Sequence, residues 1–274
     1  MAGAPARPRG RAARSRAGLF DVARRAYGLV QLGLDPDATP SPHGRHGTHG
    51  WHRTHGWHGT YGWHGTHGCA RVVVPDLRSE RGRGRVMGPE GHRRLDAALE
   101  DVSEPHALVV SSVPLVNADL SPLERVVAPA QPLVDLYQDD LRDQWMSYRH
   151  RREWAGVVRS LLGVARAGTR VSVLSGEIHL GAHGTASRNG AFIEQFIASG
   201  IAHPAPPPLF ARGYALFGRM TRRRAGIDIA MRPVADDGRT FLAERNWLEV
   251  EARPDGALDA TLHAEVSGAL PLSP

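Results

Sequence analysis

The sequence predicts an α/β layered domain that closes with antiparallel strands. Three observations carry this. Short apolar runs at Arg71-Val72-Val73-Val74, Ala107-Leu108-Val109-Val110 and Arg170-Val171-Ser172-Val173-Leu174 have the character of buried strands. Helical periodicity fills the intervals between them. Toward the end, three strand-like segments follow one another with Asp-Gly turns between, so the alternating layer gives way to a meander.

The first helix is expected over Pro89–Glu100, with Pro in the first turn and Leu95, Ala98 and Leu99 on one face. The second is expected over Tyr148–Ala167, where Trp154, Val157, Val158, Leu161, Leu162 and Ala165 follow the i, i+3, i+4 pattern and Gly168 suits the C′ position. The closing strands are Ile227–Arg232, Thr240–Glu251 and Leu258–Val266, joined by Asp236-Asp237-Gly238 and Pro254-Asp255-Gly256. Arg222-Arg223-Arg224 reads as an exposed charge run.

Four regions precede or make up this architecture. Residues 1–17 form a basic tail expected to be disordered. Residues 18–35 hold an isolated amphipathic helix, with Phe20, Ala23, Tyr27 and Val30 on one face. Residues 36–69 are a disordered His/Gly/Trp low-complexity segment whose core repeats every six residues, as in Thr48-His49-Gly50-Trp51-His52-Arg53. Its eight histidines between His43 and His67 suit capture of Zn, Ni or Cu, but the reading favoured is a tract that interrupts a loop. Residues 70–274 are the folded region.

Composition narrows the function classes. The net charge of +6 comes from the first third: residues 1–100 hold 16 Arg against 8 acids, and the remainder 18 against 20. All 34 basic residues are Arg, without the aromatic interleaving of single-strand binders, so no nucleic-acid complex is expected. No span approaches a membrane helix and no apolar run follows the Arg-rich start, so neither a membrane partner nor a secretory signal is expected and the location is read as cytoplasmic. One cysteine, Cys69, leaves no intramolecular disulfide.

The strongest site candidate is the loop Leu174-Ser175-Gly176-Glu177-Ile178-His179-Leu180, at the carboxyl end of a buried strand. Ligands of open α/β sheets collect there, because loops converge on a rigid base. If residues 175–180 stay extended, Glu177 and His179 point the same way and converge on one ion or substrate. One oxygen and one nitrogen donor suit Zn, Mn or Fe better than Ca or Mg. Arg78 and Arg81, after the first strand, could meet a phosphate bidentately, or form a salt-bridged turn with Asp76 and Glu80. Asp139, Asp140 and Asp143 read as a solvated acidic helix start, and His183 and His203 receive no role. Ser111 and Ser112 lack the surroundings of a nucleophile.

Several of these words occur together in a characteristic order: Asp76-Leu77-Arg78-Ser79-Glu80-Arg81, Val86-Met87-Gly88-Pro89-Glu90, Val110-Ser111-Ser112-Val113-Pro114, Ser175 to His179, Phe196 to Ile201, and Glu244-Arg245-Asn246-Trp247-Leu248. In order and spacing they resemble the C-terminal half of PhoD-like (alkaline phosphatase D-type) metallophosphatases, within the calcineurin-like phosphoesterases, over about residues 70–266. The resemblance implies a partial sandwich of β-sheets flanked by helices, a phosphoester substrate and a divalent or trivalent metal cofactor, Fe, Mn, Zn or Ca. It makes His179 a metal ligand and Glu177 the counterpart of the family's usual Asp, one methylene longer. The family's upstream words Asp-x-His, Gly-Asp-x-x-Asp and Gly-Asn-His-Glu or Asp do not occur in this sequence. The chain is therefore expected to carry half of a binuclear site, as a truncated phosphatase or, alternatively, as a non-catalytic binding or assembly remnant or a His-rich metal-binding protein.

Overall fold

The computed structural model describes residues 49–51, 63–78, 80–82, 84–100, 102–122, 144–198, 200–202 and 204–272. All of them belong to the unit Thr48–Pro274. The basic tail, the expected helix at 18–35, much of the repeat, Asp139, Asp140, Asp143 and His203 lie outside the described residues.

The chain order is β1 (His49–Trp51), β2 (Trp63–His67), β3 (Ala70–Val74), α1 (Pro89–Glu100), β4 (His106–Ser111), a 3-10 turn at Tyr148–His150 and α2 (Arg151–Arg166). It continues with β5 (Arg170–Ser175), β6 (Gly181–Arg188), β7 (Ala191–Ile197), α3 (Pro208–Met220), β8 (Arg223–Arg224) and β9 (Ile227–Arg232). The last elements are β10 (Phe241–Leu242), β11 (Asn246–Ala252), β12 (Leu258–Ala264) and β13 (Gly268–Leu272).

Ten strands form one mixed sheet in the order β1-β2-β3-β4-β5-β7-β6-β9-β8, with β10 beside β6, and β11-β12-β13 form a second sheet. The heart of the large sheet, β3-β4-β5-β7, is parallel, and both flanks are antiparallel. Alternation along the central strands explains the layers. Val73, Val109, Val171 and Val173 turn to one face, where Trp154, Val158, Leu161 and Leu162 of α2 and Leu95 and Leu99 of α1 pack on them. Their neighbours Val72, Leu108 and Leu174, with Phe196, turn to the other face and meet Leu258, Ala260 and Leu262 of β12. Each such side chain stabilises by roughly 1.5–3 kcal/mol on full burial, so strands apolar on both faces are what a two-sided layer requires. The sandwich of sheets with helices on one side is thus as expected.

Four details differ from the expectation. Strand β2 lies inside the period-six tract and pairs antiparallel with β3, with Gly68 at φ 58 in the turn between them. Glu104 takes hydrogen bonds from Thr66 of β2 and from Arg71 Nε of β3, the latter at 3.0 Å, and so ties the tract's last copy to the sheet. The hairpin β6–β7 and helix α3 are additions. The hairpin turns at Asn189-Gly190, φ 53 and 83, the doubly left-handed geometry that suits the twist of antiparallel strands. The closing meander is β11-β12-β13 rather than the three expected segments, because Ile227–Arg232 joins β6 in the large sheet and Thr240–Glu251 breaks into β10 and β11.

The fourth difference is Arg224. Arg222 and Arg223 are exposed as expected, but Arg224 is 5% exposed, with Nη1 2.7 Å from Asp119 Oδ2 and Nη2 donating to the Ser147 carbonyl at 2.9 Å. Its guanidinium also lies 5.5 Å from the centroid of the Trp154 ring. Strand alternation in the short β8 turns one arginine of the run inward, where a carboxylate and a carbonyl receive it. Arg224→Ala leaves Asp119 without this partner in a half-buried place and is expected to cost about 3 kcal/mol. The shift of the urea unfolding midpoint measures it.

A buried histidine joins the two sheets. His106 Nδ1 donates to the Gly256 carbonyl at 2.7 Å, which assigns the proton to that nitrogen and leaves Nε2 to accept from Ser172 Oγ at 3.1 Å. Gly256, at φ 80 in the β11–β12 turn, comes so near that a Cβ there would stand 2.9 Å from the Pro105 carbonyl oxygen. Burial lowers the His106 pKa, and the Gly256 carbonyl offsets this only in part. The unfolded chain, with a histidine pKa of about 6.5, then binds a proton that the folded chain refuses. Stability is expected to fall as pH drops from about 7 to about 5. Urea melts across that window should show a flatter limb for His106→Gln.

Candidate functional site

The candidate loop stands where β5 ends and β6 begins, and it is bent rather than extended. Ile178 N–H bonds back to the Gly176 carbonyl at 3.1 Å around Glu177 at φ 75, the geometry of a γ-turn, which is rare and strained. His179 follows at φ 56. Glu177 and His179 therefore do not share one face of an extended strand, because the backbone turns at Glu177. Four non-glycine residues have positive φ among the described residues, Glu177, His179, Asn189 and Ala225. Asn189 and Ala225 each precede a glycine of positive φ in a tight turn, whereas the other two sit in one loop with apolar anchors between and after them. Ile178 and Leu180 are buried against Ala118, Leu120, Ala211 and Tyr214.

Those anchors hold the strain. Gly181 follows with no room for a side chain, since a Cβ would lie 2.7 Å from Leu262 Cδ2 and 3.6 Å from Asn246 Cγ. Upstream, the fully buried Gln195 of β7 ties the strand ends together. Its Nε2 donates to Ser175 Oγ at 2.9 Å and to the Val173 carbonyl at 3.1 Å, while its Oε1 accepts from Leu115 N at 2.9 Å. The loop after β4 is thereby fixed beside the end of β5. Trp154 Nε1, donating to the Leu115 carbonyl at 2.7 Å, fixes it from the helix side. Sequence inspection missed Gln195; a lone amide in an apolar strand was the available signal.

The other words occupy the same end of the sheet and have structural tasks. Asp76 Oδ1 accepts from Arg78 N at 2.8 Å, and Glu80 Oε2 accepts from Gly91 N at 3.0 Å in the first turn of α1, passing so close to Gly88 that a Cβ would stand 2.4 Å away. Glu153 of α2 accepts from Val86 N at 2.8 Å, Met87 N at 2.7 Å and His92 Nε2 at 3.0 Å. Burial would raise its pKa, but the bonds from His92, Val86 and Met87 outweigh it and the carboxyl lies below the usual range. Glu244 receives Val266 N at 3.0 Å and Ser267 N at 2.8 Å and closes the second sheet. Ser111 donates to the Val113 carbonyl at 2.5 Å, a turn-forming bond.

Of the four expected site residues the structure brings two together directly. Arg78 Nη2 and Glu177 Oε1 stand 3.8 Å apart across the ends of β3 and β5, with side chains 64% and 41% exposed. The guanidinium of Arg78 thus stands within ion-pair reach of Glu177. Arg81 is half-buried, its N–H closing a turn onto the Arg78 carbonyl at 3.3 Å. His179 is half-buried within the γ-turn loop. His183, given no role from sequence, is buried on β6, stacks on Phe196 at 4.7 Å and stands 3.5 Å from Glu194 Oε1.

A metal needs more than this loop. Among the described residues no group of three or more His, Cys, Asp or Glu could hold an ion. Four ligands are the rule for zinc and three for its open catalytic sites, so Glu177 and His179 with the described residues around them do not complete a site.

No family model matches the chain, and no curated protein matches it. Among solved structures it is similar to one described as "Structure of PhoD", with a TM-score of 0.42 and 13% sequence identity, over 78% of this chain and 44% of that one. The chain spans less than half the length of that structure.

The loop's strain is measurable. Placing glycine at a positive-φ position removes a penalty of about 1–2 kcal/mol. Glu177→Gly and His179→Gly are each expected to be about 1 kcal/mol more stable than the alanine variant at the same position. Comparison with alanine cancels the lost side chain, and thermal melts give the difference.

Proposed function

We propose that this end of the sheet binds a phosphoester, as the carboxyl-terminal half of a PhoD-like, metal-dependent phosphoesterase site. The observation that carries this is the meeting of Arg78 and Glu177 across the carboxyl ends of two parallel strands, beside a strained loop that also presents His179. An ion pair this open and this long contributes little to stability. Its guanidinium can therefore exchange the carboxylate for a phosphate, to which it offers a planar fork of donors. The backbone strain at Glu177 and His179 is of the kind that accumulates where side-chain placement serves binding.

The order of the six sequence words supports the same reading and adds the metal. His179 would supply a nitrogen donor and Glu177 either an oxygen donor or a partner for His179. Bound metal would polarise the phosphoryl group and activate water. The remaining ligands are not among the described residues, which favours a second reading, phosphoester binding without turnover.

The full chain, with Mn or Fe added, should hydrolyse bis(p-nitrophenyl) phosphate, and His179→Ala should abolish that turnover. Arg78→Ala should raise KM about tenfold, equivalent to about 1.4 kcal/mol of lost phosphate binding. Absent turnover, together with Arg78-dependent phosphate binding in a calorimetric titration, selects the binding-only reading. Absent binding as well overturns the proposal. The full chain is the proper sample, because removing residues up to Cys69 would strip β2 from the sheet.

A further inference from the structure

Helix α3 is apolar on two opposite faces. Its inner face is accounted for: Ala211 and Tyr214 pack with Ile178, Leu180 and Phe241, and Gly218 lies so close to Phe241 that a Cβ would stand 3.0 Å from its ring. Half a turn away, at the i, i+7, i+11 spacing of a single stripe, stand Leu209, Leu216 and Met220, which are 76%, 59% and 67% exposed. Phe210 beside them is 45% exposed. Water-facing helices normally carry polar residues on that face, so an outer apolar stripe marks an interaction surface.

Charge identifies what covers it. Arg212 and Arg219 are exposed along one flank of the stripe, and exposed Arg222 and Arg223 follow its end. No Asp or Glu occurs between Glu194 and Asp228. Asp228 itself pairs with Arg223 at 3.5 Å, and Arg224 is taken inward by Asp119. The outer surface of this helix is therefore apolar with a cationic border. A second copy of the chain docked face to face would bring arginine against arginine across a two-fold axis. A bilayer carrying anionic headgroups offers both partners at once, acyl chains for the stripe and phosphates for the guanidinium groups.

We infer that α3 is a membrane-surface helix, lying in the interface of an anionic bilayer with Leu209, Leu216 and Met220 turned to the acyl region and Arg212, Arg219 and Arg222 on the headgroups. No helix among the described residues is long and apolar enough to cross a membrane. The inner face of the same helix packs on Ile178 and Leu180, which places the Glu177–His179 loop about one helix diameter, roughly 10 Å, beneath the docked surface. The inference rests on exposure and charge at α3 and does not depend on the phosphoesterase reading.

The test is flotation of the full chain with vesicles of phosphatidylcholine, with and without about 30 mol% phosphatidylserine to supply the anionic surface. Binding is expected to the anionic vesicles, to fall steeply with added salt, and to drop at least about tenfold in Leu216→Glu/Met220→Glu. Both positions are exposed, and unchanged thermal melts confirm that the variant is folded. Arg212→Glu/Arg219→Glu should weaken binding to anionic vesicles while leaving the fold intact. Binding retained in both variants would locate the attachment elsewhere, in the Arg-rich first residues for instance, and overturn the inference. So would no binding at low salt, or sedimentation showing a dimer that Leu216→Glu/Met220→Glu dissociates.

Discussion

One buried amide, Gln195, decides how the carboxyl ends of the parallel strands in this sheet are arranged. It is fully buried, and a buried primary amide without partners would cost several kcal/mol, so its position enforces the groups that satisfy it. Those groups belong to three chain segments distant in sequence: the loop after β4 at Leu115 and Val116, the end of β5 at Val173 and Ser175, and β7 itself at Phe196. A hydrophobic residue there would fill the space but leave the Leu115 and Val116 amides buried without an acceptor. The loop after β4 would then lose its place beside Ile178 and Leu180, and the strained turn between them would lose its support.

The dependence runs outward from that point. Trp154 holds the same loop through Leu115 and forms the ring under Arg224, whose guanidinium reaches Asp119 on the loop's far side. Helix α2, strand β8 and the loop after β4 are thus joined by polar contacts buried within apolar packing, where each is worth more than at the surface and is correspondingly costly to break. Glu153 performs the equivalent task for the loop after β3, gathering Val86, Met87 and His92. Arg78 and Glu177 meet because both loops are held, although their own contact is weak.

Much of the fold was legible because burial on two faces leaves a mark in sequence. A run such as Val72-Val73-Val74 has the branched, unbroken apolar character of an interior strand, and the expected α2 positions Trp154, Val157, Val158, Leu161 and Leu162 are all buried, with Ala155 added to them. The β6–β7 hairpin was harder, since Gly181-Ala182-His183-Gly184-Thr185 lacks the branched residues that advertise a strand; its glycines are required instead by close neighbours such as Leu262 and Met231. Helix α3 was obscured by apolar residues on both faces, which erases the contrast on which periodicity depends. Arg224 was indistinguishable from its two neighbours because its burial is decided by strand alternation and by Asp119, far earlier in the chain. At the candidate site the residue types were legible and their geometry was not. Positive φ at Glu177 and His179 comes from the anchoring of Ile178 and Leu180, a tertiary constraint with no local signature.

The way the second sheet closes over the first has a consequence for biogenesis. Strands β3, β4 and β5 carry Val72, Leu108 and Leu174 on a face covered by β11–β13, strands that leave the ribosome long after them. His106 finds its Gly256 partner 150 residues later. During that interval of synthesis the apolar surface stands open beside unfinished strand edges, which is the circumstance in which nascent polypeptides aggregate or engage chaperones. Yield in a host cell should therefore be governed less by the equilibrium stability of the finished sandwich than by what shields one face of a half-made sheet.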